Sequence, residues 1–254
     1  MCSLAAAEII SIKEPTDFLT PKRVVKSDDM ITVKGSNFTL HSAKTLSLDP
    51  AKKYKISGDF RLKNGEGGAS LYLGFTAFDA DGKQIQSVNV NAKAKSDTVV
   101  AKAASSGDSV IYVKDASGWD MKTPNGYIVF NTKPDYSDLP NRDFIAVPQG
   151  NIKQNGDVWE ITLKTPLTKN VAEGTGVRQQ LAGAAHIYSA IKYKMPKEEW
   201  FTLSGTTAGS TSLFGTPSKE LWHGTASVRV LVTMLGGKPG DVVEMKNIKV
   251  EEVE

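Results

Sequence analysis

The sequence predicts an all-β protein built as an antiparallel β-sandwich, and three neighbouring stretches carry this prediction. In residues 54–61 apolar and polar side chains alternate, which is the two-residue period of a pleated strand. Residues 71–78 are almost entirely apolar or small, as in a strand that is covered on both faces. Residues 79–82 predict a turn, because Asp accepts hydrogen bonds from nearby backbone N–H groups and Gly tolerates a positive φ.

Short strands are also predicted on both sides of this pair. Apolar runs and alternation predict them at residues 9–12, 30–35, 37–40, 45–48 and 84–90. In the last of these, Ile85, Ser87 and Asn89 are expected to share one face. No window of about a dozen residues has helical periodicity, apart from a single turn predicted at residues 217–221.

The middle of the chain differs in composition and is predicted to form a small β module of its own. Residues 91–107 are rich in Ala, Lys and Ser, and residues 131–142 form a long polar loop with two prolines. Trp119 and Trp159 are predicted to build the core of this module. Its strands are predicted at residues 109–113, 126–131, 143–147 and 158–163.

Two stretches of this module resemble a known kind of domain. Residues 105–120 (SSGDSVIYVKDASGWD) and 161–177 (ITLKTPLTKNVAEGTGV) are similar to a small all-β module that recurs in phage and exported bacterial proteins. The role of that module is usually structural. The resemblance therefore implies no catalytic residue in this part of the chain.

The first pattern returns towards the end of the chain. Strands are predicted at residues 185–194, 199–203, 225–235 and 242–250. The pieces YKISGDFRLKNGEG, LYLGFTAFDADGK, EEWFTLSGTTAG, GTASVRVLVTMLGG and DVVEMKNIKVEEVE, in this order, resemble carbohydrate-binding modules of families four and nine. This resemblance implies a jelly-roll sandwich, and it implies that Trp200 is a core residue.

The two resemblances together imply a discontinuous domain. Residues 8–92 and 181–254 are expected to form one jelly roll, and residues 93–180 an inserted small β domain between two of its neighbouring strands. Insertions at exposed loop tips are well tolerated, because the chain ends there lie close together.

Charge and composition exclude several classes of partner. The 254 residues include 31 basic and 28 acidic side chains, so the net charge of +3 gives no electrostatic argument for nucleic acid. No apolar run approaches the roughly 18 residues that cross a bilayer, so no membrane span is predicted. Cys2 is the single cysteine, which excludes an intrachain disulfide. The oligomeric state stays open.

The first residues favour export. Residues 5–7 are all Ala and match the small-residue cleavage end of a secretory signal, although the charged and apolar parts of such a signal are missing. The expectation is a secreted, periplasmic or cell-surface protein whose signal has been trimmed. Cys2 as a lipid-anchor position, or a start without any role, are the alternatives.

The resemblance implies a sugar site on one sheet face or at the rim of the sandwich. Sugar binding needs flat apolar area against the C–H faces of pyranose rings, with polar groups nearby. Tyr72 with Thr76, His186 with Tyr188 and Lys192, and Arg229 with Thr233 are each expected to share a face of their strand. A wetted sheet without a ligand is the alternative for this face.

A rim position is the second candidate. Trp222 and His223 precede the strand at 225–235, and an exposed Trp there is a stacking platform. The alternative is that Trp222 fills the end of the core. The predicted ligand-binding residues are therefore Tyr72, Tyr188, Trp222, His223 and Arg229.

Metal and catalytic motifs are weak. Asp79 and Asp81 precede Gly82 as in a calcium loop, but the twelve-residue ligand pattern is absent and a hairpin turn accounts for them. Jelly rolls of the resembling type often carry a structural calcium ion, which keeps calcium as the one cofactor to consider. No Glu-x-Asp-x-Glu array on one strand face, Gly-x-Ser-x-Gly elbow or phosphate-binding glycine loop is found.

These observations predict non-catalytic binding of a polysaccharide or glycan. A structural or adhesion component, such as a phage-particle or cell-surface protein without a sugar site, is the alternative. A polysaccharide-active enzyme is the third hypothesis.

Overall fold

The computed structural model of the protein describes residues 7–65, 67–209 and 219–254, and most of its regular structure is β-strand. Short 3-10 helices lie at Pro15–Asp17, Pro21–Arg23 and Ser87–Asn89. The strands, in chain order, are β1 (Ala7–Ile12), β2 (Val24–Ser27), β3 (Met30–Lys34), β4 (Phe38–His41), β5 (Lys53–Asn64), β6 (Ser70–Phe78), β7 (Thr98–Val99), β8 (Val110–Val113), β9 (Gly126–Phe130), β10 (Phe144–Val147), β11 (Ile152–Asn155), β12 (Val158–Thr162), β13 (Gly176–Leu181), β14 (Ile187–Lys192), β15 (Phe201–Ala208), β16 (Ser227–Leu235) and β17 (Val242–Val253).

The chain divides into two units. The first unit contains β1–β6 and β14–β17, and it ends before Ile85 and resumes at His186. The second unit contains β7–β13 and spans Ile85–Ala185, which includes the expected insertion at residues 93–180.

The first unit is an antiparallel sandwich. Sheet I has the strand order β15-β5-β17-β3-β2, with β1 also paired to β17, and sheet II has the order β14-β6-β16-β4. The chain changes sheet at every connection from β3 to β6 and again from β14 to β17, while β6 and β14 are neighbours in sheet II. This is the strand order of a jelly roll. The predicted all-β antiparallel sandwich is thus confirmed.

Alternation along the strands fills the space between the two sheets. On β5, Ile56, Phe60 and Leu62 are fully buried, and Leu73 and Phe75 of β6 are buried in the same way. Each fully buried side chain of this size contributes about 1.5–3 kcal/mol to folding. The sheets are also joined by a polar contact, since the hydroxyls of Ser189 on β14 and Thr207 on β15 are buried and 2.6 Å apart.

The second unit has its own apolar core between two small sheets. Their strand orders are β10-β9-β13-β7 and β11-β12-β8. Trp119 is buried in this core, and its indole N–H donates to the Ser96 carbonyl at 2.8 Å. Trp159 is partly buried and packs against the same cluster. The prediction that both tryptophans build this core is confirmed.

Several predicted strands differ in the structure. The strand predicted at residues 84–90 is wrong, because Ser87–Asn89 forms a 3-10 helix in which the Asn89 side chain accepts a hydrogen bond from the Gln86 N–H at 2.8 Å. Such local side-chain hydrogen bonds compete with strand pairing. Of residues 45–48, Leu46 alone forms a bridge, with Val228. Residues 217 and 218 of the predicted helical turn lie outside the described residues.

Membrane crossing by a helix finds no support in the fold. Across residues 7–65, 67–209 and 219–254, no helix reaches the length and apolar character that a bilayer span requires.

Candidate functional site

The outer face of sheet II brings together residues from all four of its strands. Strand pairing places Tyr72 between Ile191 and Thr233, Gly74 between Tyr188 and Leu231, and Thr76 beside Arg229. The side chains that alternate with these on β6 are buried in the sandwich. The register therefore places Tyr72, Tyr188 and Arg229 on neighbouring strands of one sheet face.

Five rings form a continuous row, here called the ring row, and they belong to Tyr193, Tyr72, Tyr188, His186 and His41. Between successive rings in this order the centroid distances are 6.4, 4.9, 6.1 and 5.7 Å. Tyr193 is 66% exposed, and the other four side chains are half-buried. The row thus offers aromatic surface along its length.

A β-bulge in β14 decides which of its side chains reach this face. The register against β6 shifts between Tyr188 and Ala190, so Ile191 lies beside Tyr72 and Lys192 pairs with the inward-facing Leu71. An extra residue in a strand reverses the alternation that follows it. The prediction that Lys192 shares a face with His186 and Tyr188 is therefore wrong. Its ammonium group lies 5.6 Å from the centroid of the Phe201 ring.

Gly74 permits this bulge. A Cβ atom at Gly74 would lie 1.9 Å from the carbonyl oxygen of Ile187 and 3.0 Å from the backbone nitrogen of Ser189. Both are backbone atoms of the bulged strand, so no side-chain rotation relieves the contact. The glycine sets the distance between β6 and β14 under the ring row.

Replacing Gly74 by Ala is expected to destabilise the first unit by about 1–3 kcal/mol, the usual cost of overpacking. Urea denaturation of the variant measures this. Gly240→Ala is the matched control, because a Cβ there meets nothing within 4 Å, and it should change stability by no more than about 0.5 kcal/mol. Equal stability of the two variants would contradict the geometry described for the bulge.

The histidine end of the ring row is held in the neutral form. The Thr76 hydroxyl lies 2.9 Å from Nδ1 of His186, and burial, with a smaller contribution from His41, lowers the pKa of His186 to about 4. Burial, followed by the charge of Arg229, also lowers the pKa of His41. Among the described residues, Nε2 of His41 is buried without a hydrogen-bond partner. Neutral imidazoles offer one donor and one acceptor nitrogen each.

This pKa shift makes stability depend on pH in a defined window. Below about pH 6.5 an unfolded histidine binds a proton, whereas His186 in the folded protein does so near pH 4. Between these two pH values the unfolded chain binds more protons than the folded protein. The free energy of unfolding is therefore highest above about pH 6.5 and decreases as the pH falls towards 4. Urea midpoints for His186→Gln should show a smaller decrease over this window than the wild-type midpoints. Parallel pH curves for the two proteins would contradict the assignment.

The two predicted rim residues lie elsewhere. Trp222 is 1% exposed, so its predicted role as an exposed stacking platform is wrong, and its side chain is buried. The N–H and hydroxyl of Thr225 donate to the Trp222 carbonyl at 3.0 and 2.6 Å, which closes a tight turn before β16. His223 is half-buried in that turn and is not part of the ring row.

Trp200 is the tryptophan that faces solvent. It is 36% exposed, so the expectation of a core residue is wrong. The Cζ atom of Arg61 and the Nζ atom of Lys246 lie 4.8 and 5.0 Å from its ring centroid. The sequence shows a Trp at the start of a strand but not which side of the sheet its ring takes.

His41 and Tyr193 belong to the ring row and were not among the predicted site residues. Tyr193 follows the bulge, and His41 reaches the row because β4 pairs with β16 through His41 and Leu231. The alternation of Phe38, Thr39, Leu40 and His41 is the one sequence signal that places His41 on the outer face.

The turn with Asp79 and Asp81 is organised by hydrogen bonds. One carboxylate oxygen of Asp79 accepts from the N–H groups of Asp81 at 3.0 Å and Lys83 at 2.8 Å. In the part of the chain that the structure describes, no group of three or more His, Cys, Asp or Glu side chains is placed to hold a metal ion.

Comparison with known proteins gives little. No protein-family model matches the chain, and no curated protein does. A candidate sugar binding protein from Bacteroides thetaiotaomicron is 10% identical over 97% of this chain and 95% of its own, with a TM-score of 0.24. A fructosyltransferase from A. japonicus is 10% identical over 98% of this chain and 34% of its own, with a TM-score of 0.19. A structure of infectious bursal disease virus is 12% identical over 90% of this chain and 38% of its own, with a TM-score of 0.17. At such TM-scores these similarities carry no argument about the protein.

Proposed function

We propose that the first unit binds a polysaccharide or glycan along the ring row, without cleaving it. The observation that supports this is the row itself, in which five rings on one sheet face follow one another at 4.9–6.4 Å between centroids. A sugar chain presents a series of apolar C–H faces, and aromatic rings on a rigid sheet give such faces a preformed surface.

Polar groups beside the rings suit the hydroxyls of a sugar. The phenol groups of Tyr72, Tyr188 and Tyr193 donate and accept, and the neutral His186 adds a ring nitrogen. Burial, followed by the neighbouring Tyr72, raises the pKa of Tyr188, so its phenol keeps its proton at neutral pH. The set is suited to holding a sugar by stacking and neutral hydrogen bonds.

Affinity gel electrophoresis against a panel of soluble polysaccharides tests the proposal. At least one polysaccharide should retard the wild-type protein, and Tyr72→Ala or Tyr188→Ala should each weaken this affinity about tenfold, or roughly 1.4 kcal/mol. Tyr112→Ala is the matched control, because Tyr112 is a half-buried strand tyrosine of the second unit. Polysaccharides should retard this variant as much as they retard the wild-type protein.

Three results would contradict the proposal. One is the absence of retardation by every polysaccharide, and concentration-dependent self-assembly in its place would favour a structural or adhesion role. Another is retardation that both tyrosine variants retain in full. Release of shorter sugars from a polysaccharide would show that the protein is an enzyme.

A further inference from the structure

Arg229 is anchored by one of its three guanidinium nitrogens. Its Nη1 group donates to the carbonyl of Ser42 at 2.7 Å and also to the carbonyl of Ala43. Within the described part of the chain, Nε and Nη2 have no hydrogen-bond partner, and the side chain is half-buried. The guanidinium is therefore fixed in place while one of its two-donor edges stays open.

The same edge of a second arginine, Arg61, binds a carboxylate. The Nε and Nη2 groups of Arg61 both donate to one carboxylate oxygen of Glu244, Oε2, with a distance of 2.8 Å from Nε. A single anionic oxygen thus accepts from both donors of this edge, and hydrogen bonds between charged groups are stronger than neutral ones. The open edge of Arg229 is thus complementary to a carboxylate.

The charge of sheet II has the sign that such a ligand requires. Arg229 is the charged side chain that β4, β6, β14 and β16 place on the face of the ring row, because the bulge turns Lys192 away from it, and these four strands contain no Asp or Glu. Sheet I differs, since its strands carry carboxylates such as Asp59 and Glu244 among their basic residues. A positively charged face favours and orients a negatively charged ligand.

Arg229 lies next to the ring row. It pairs with Thr76, whose hydroxyl contacts His186, and its charge acts on His41. The guanidinium of Arg229 therefore lies beside the histidine end of the ring row, where it can contact a sugar chain that stacks on the tyrosines.

We propose that the glycan bound on the ring row contains uronic acid, and that the Nε–Nη2 edge of Arg229 receives its carboxylate. This inference rests on the proposed function and names the class of glycan. The carboxylate takes the position relative to Arg229 that Glu244 takes relative to Arg61.

Polygalacturonate and its methyl ester test this proposal, because they share a backbone and differ in charge. In affinity gels at low salt, the acid should bind the wild-type protein at least about tenfold more tightly than the ester, and about 1 M NaCl should remove most of this difference.

A matched pair of variants locates the anion. Ser227 is two residues before Arg229 on the same strand face, so the carboxylate of Ser227→Glu competes for the guanidinium. This variant should weaken binding of the acid about fivefold or more and leave binding of the ester unchanged, whereas Ser227→Gln should leave both unchanged. If Ser227→Glu does not fold, Arg229→Lys should produce the same selective loss, because lysine keeps the charge but not the paired donors.

The outcomes separate this inference from the proposed function. Equal binding of acid and ester, with loss of both in Tyr188→Ala, overturns the inference and leaves the proposed function standing. Tight binding of the acid that Tyr188→Ala or Ser227→Glu does not reduce also overturns the inference, because the anion then binds elsewhere. The absence of binding to any polysaccharide overturns both.

Discussion

Replacing Arg178 by Met is expected to destabilise the second unit by about 3–5 kcal/mol, because it leaves a buried carboxylate without its counter-charge. The Arg178 side chain is fully buried, and it forms an ion pair with Asp138, whose side chain is 6% exposed. Nη1 of Arg178 also lies 3.6 Å from Asp97. Breaking such a pair costs more than the pair contributes, since the remaining charge stays out of water.

The loop from Asn131 to Arg142 depends on this arginine. The Arg178 guanidinium lies 4.8 Å from the ring centroid of Tyr136, and the Tyr136 hydroxyl donates to Asp97 at 2.9 Å. Burial and this hydrogen bond raise the pKa of Tyr136 to about 12, so the phenol remains a donor. Loss of Arg178 is expected to release the loop as well as the ion pair.

Urea denaturation measures the effect, and hydrogen exchange of the β13 amides assigns it to the second unit. Lys169→Met is the control, because Lys169 forms a more exposed ion pair with Asp143, and its removal should cost no more than about 1 kcal/mol. Similar losses in the two variants would contradict the buried position of Arg178.

Trp222→Ala is expected to destabilise the first unit by about 3–5 kcal/mol, the usual cost of removing a large buried aromatic side chain. Trp222 is among the largest fully buried side chains of the chain, so its truncation leaves a large cavity. Sugar binding should weaken in this variant only under conditions in which the first unit unfolds.

Tyr193→Ala is the control for Trp222→Ala. It also removes an aromatic ring from the first unit, but Tyr193 is largely exposed, so stability should change by no more than about 0.5 kcal/mol. Urea midpoints for both variants measure the difference. Loss of sugar binding in a fully folded Trp222→Ala protein would show that Trp222 contacts the ligand, contrary to its buried position.

Sequence patterns predict the sandwich where strands are long and rich in apolar residues. The strands β5, β6, β16 and β17 have these properties, with both faces buried in the middle of β6 and β16, and they lie at the centre of the two sheets. The short strands β2 and β11 are not predicted, because β2 buries one residue and β11 has polar residues in three of four positions. Such edge strands form through pairing with a neighbour rather than through their own pattern.

The candidate site is predictable only in part. Alternation places Tyr72, Tyr188 and Arg229 on outer faces, but the pairing that makes these faces one surface is a tertiary feature. Gly74 of β6 leaves room for the backbone of the bulge after Tyr188, and the sequence of β14 does not show that Ile191 rather than Lys192 reaches the outer face. The positions of Trp200 and Trp222 are reversed from expectation, since residue type alone does not distinguish a rim platform from a core ring.

The most direct test of the ring row as a glycan site is a crystal structure of the protein with the shortest oligosaccharide that competes in the affinity gel. We expect sugar rings against the faces of Tyr72 and Tyr188, with the sugar chain running towards His186. A sugar seated against Trp200 or on the second unit, with Tyr72 and Tyr188 free of ligand, would contradict it.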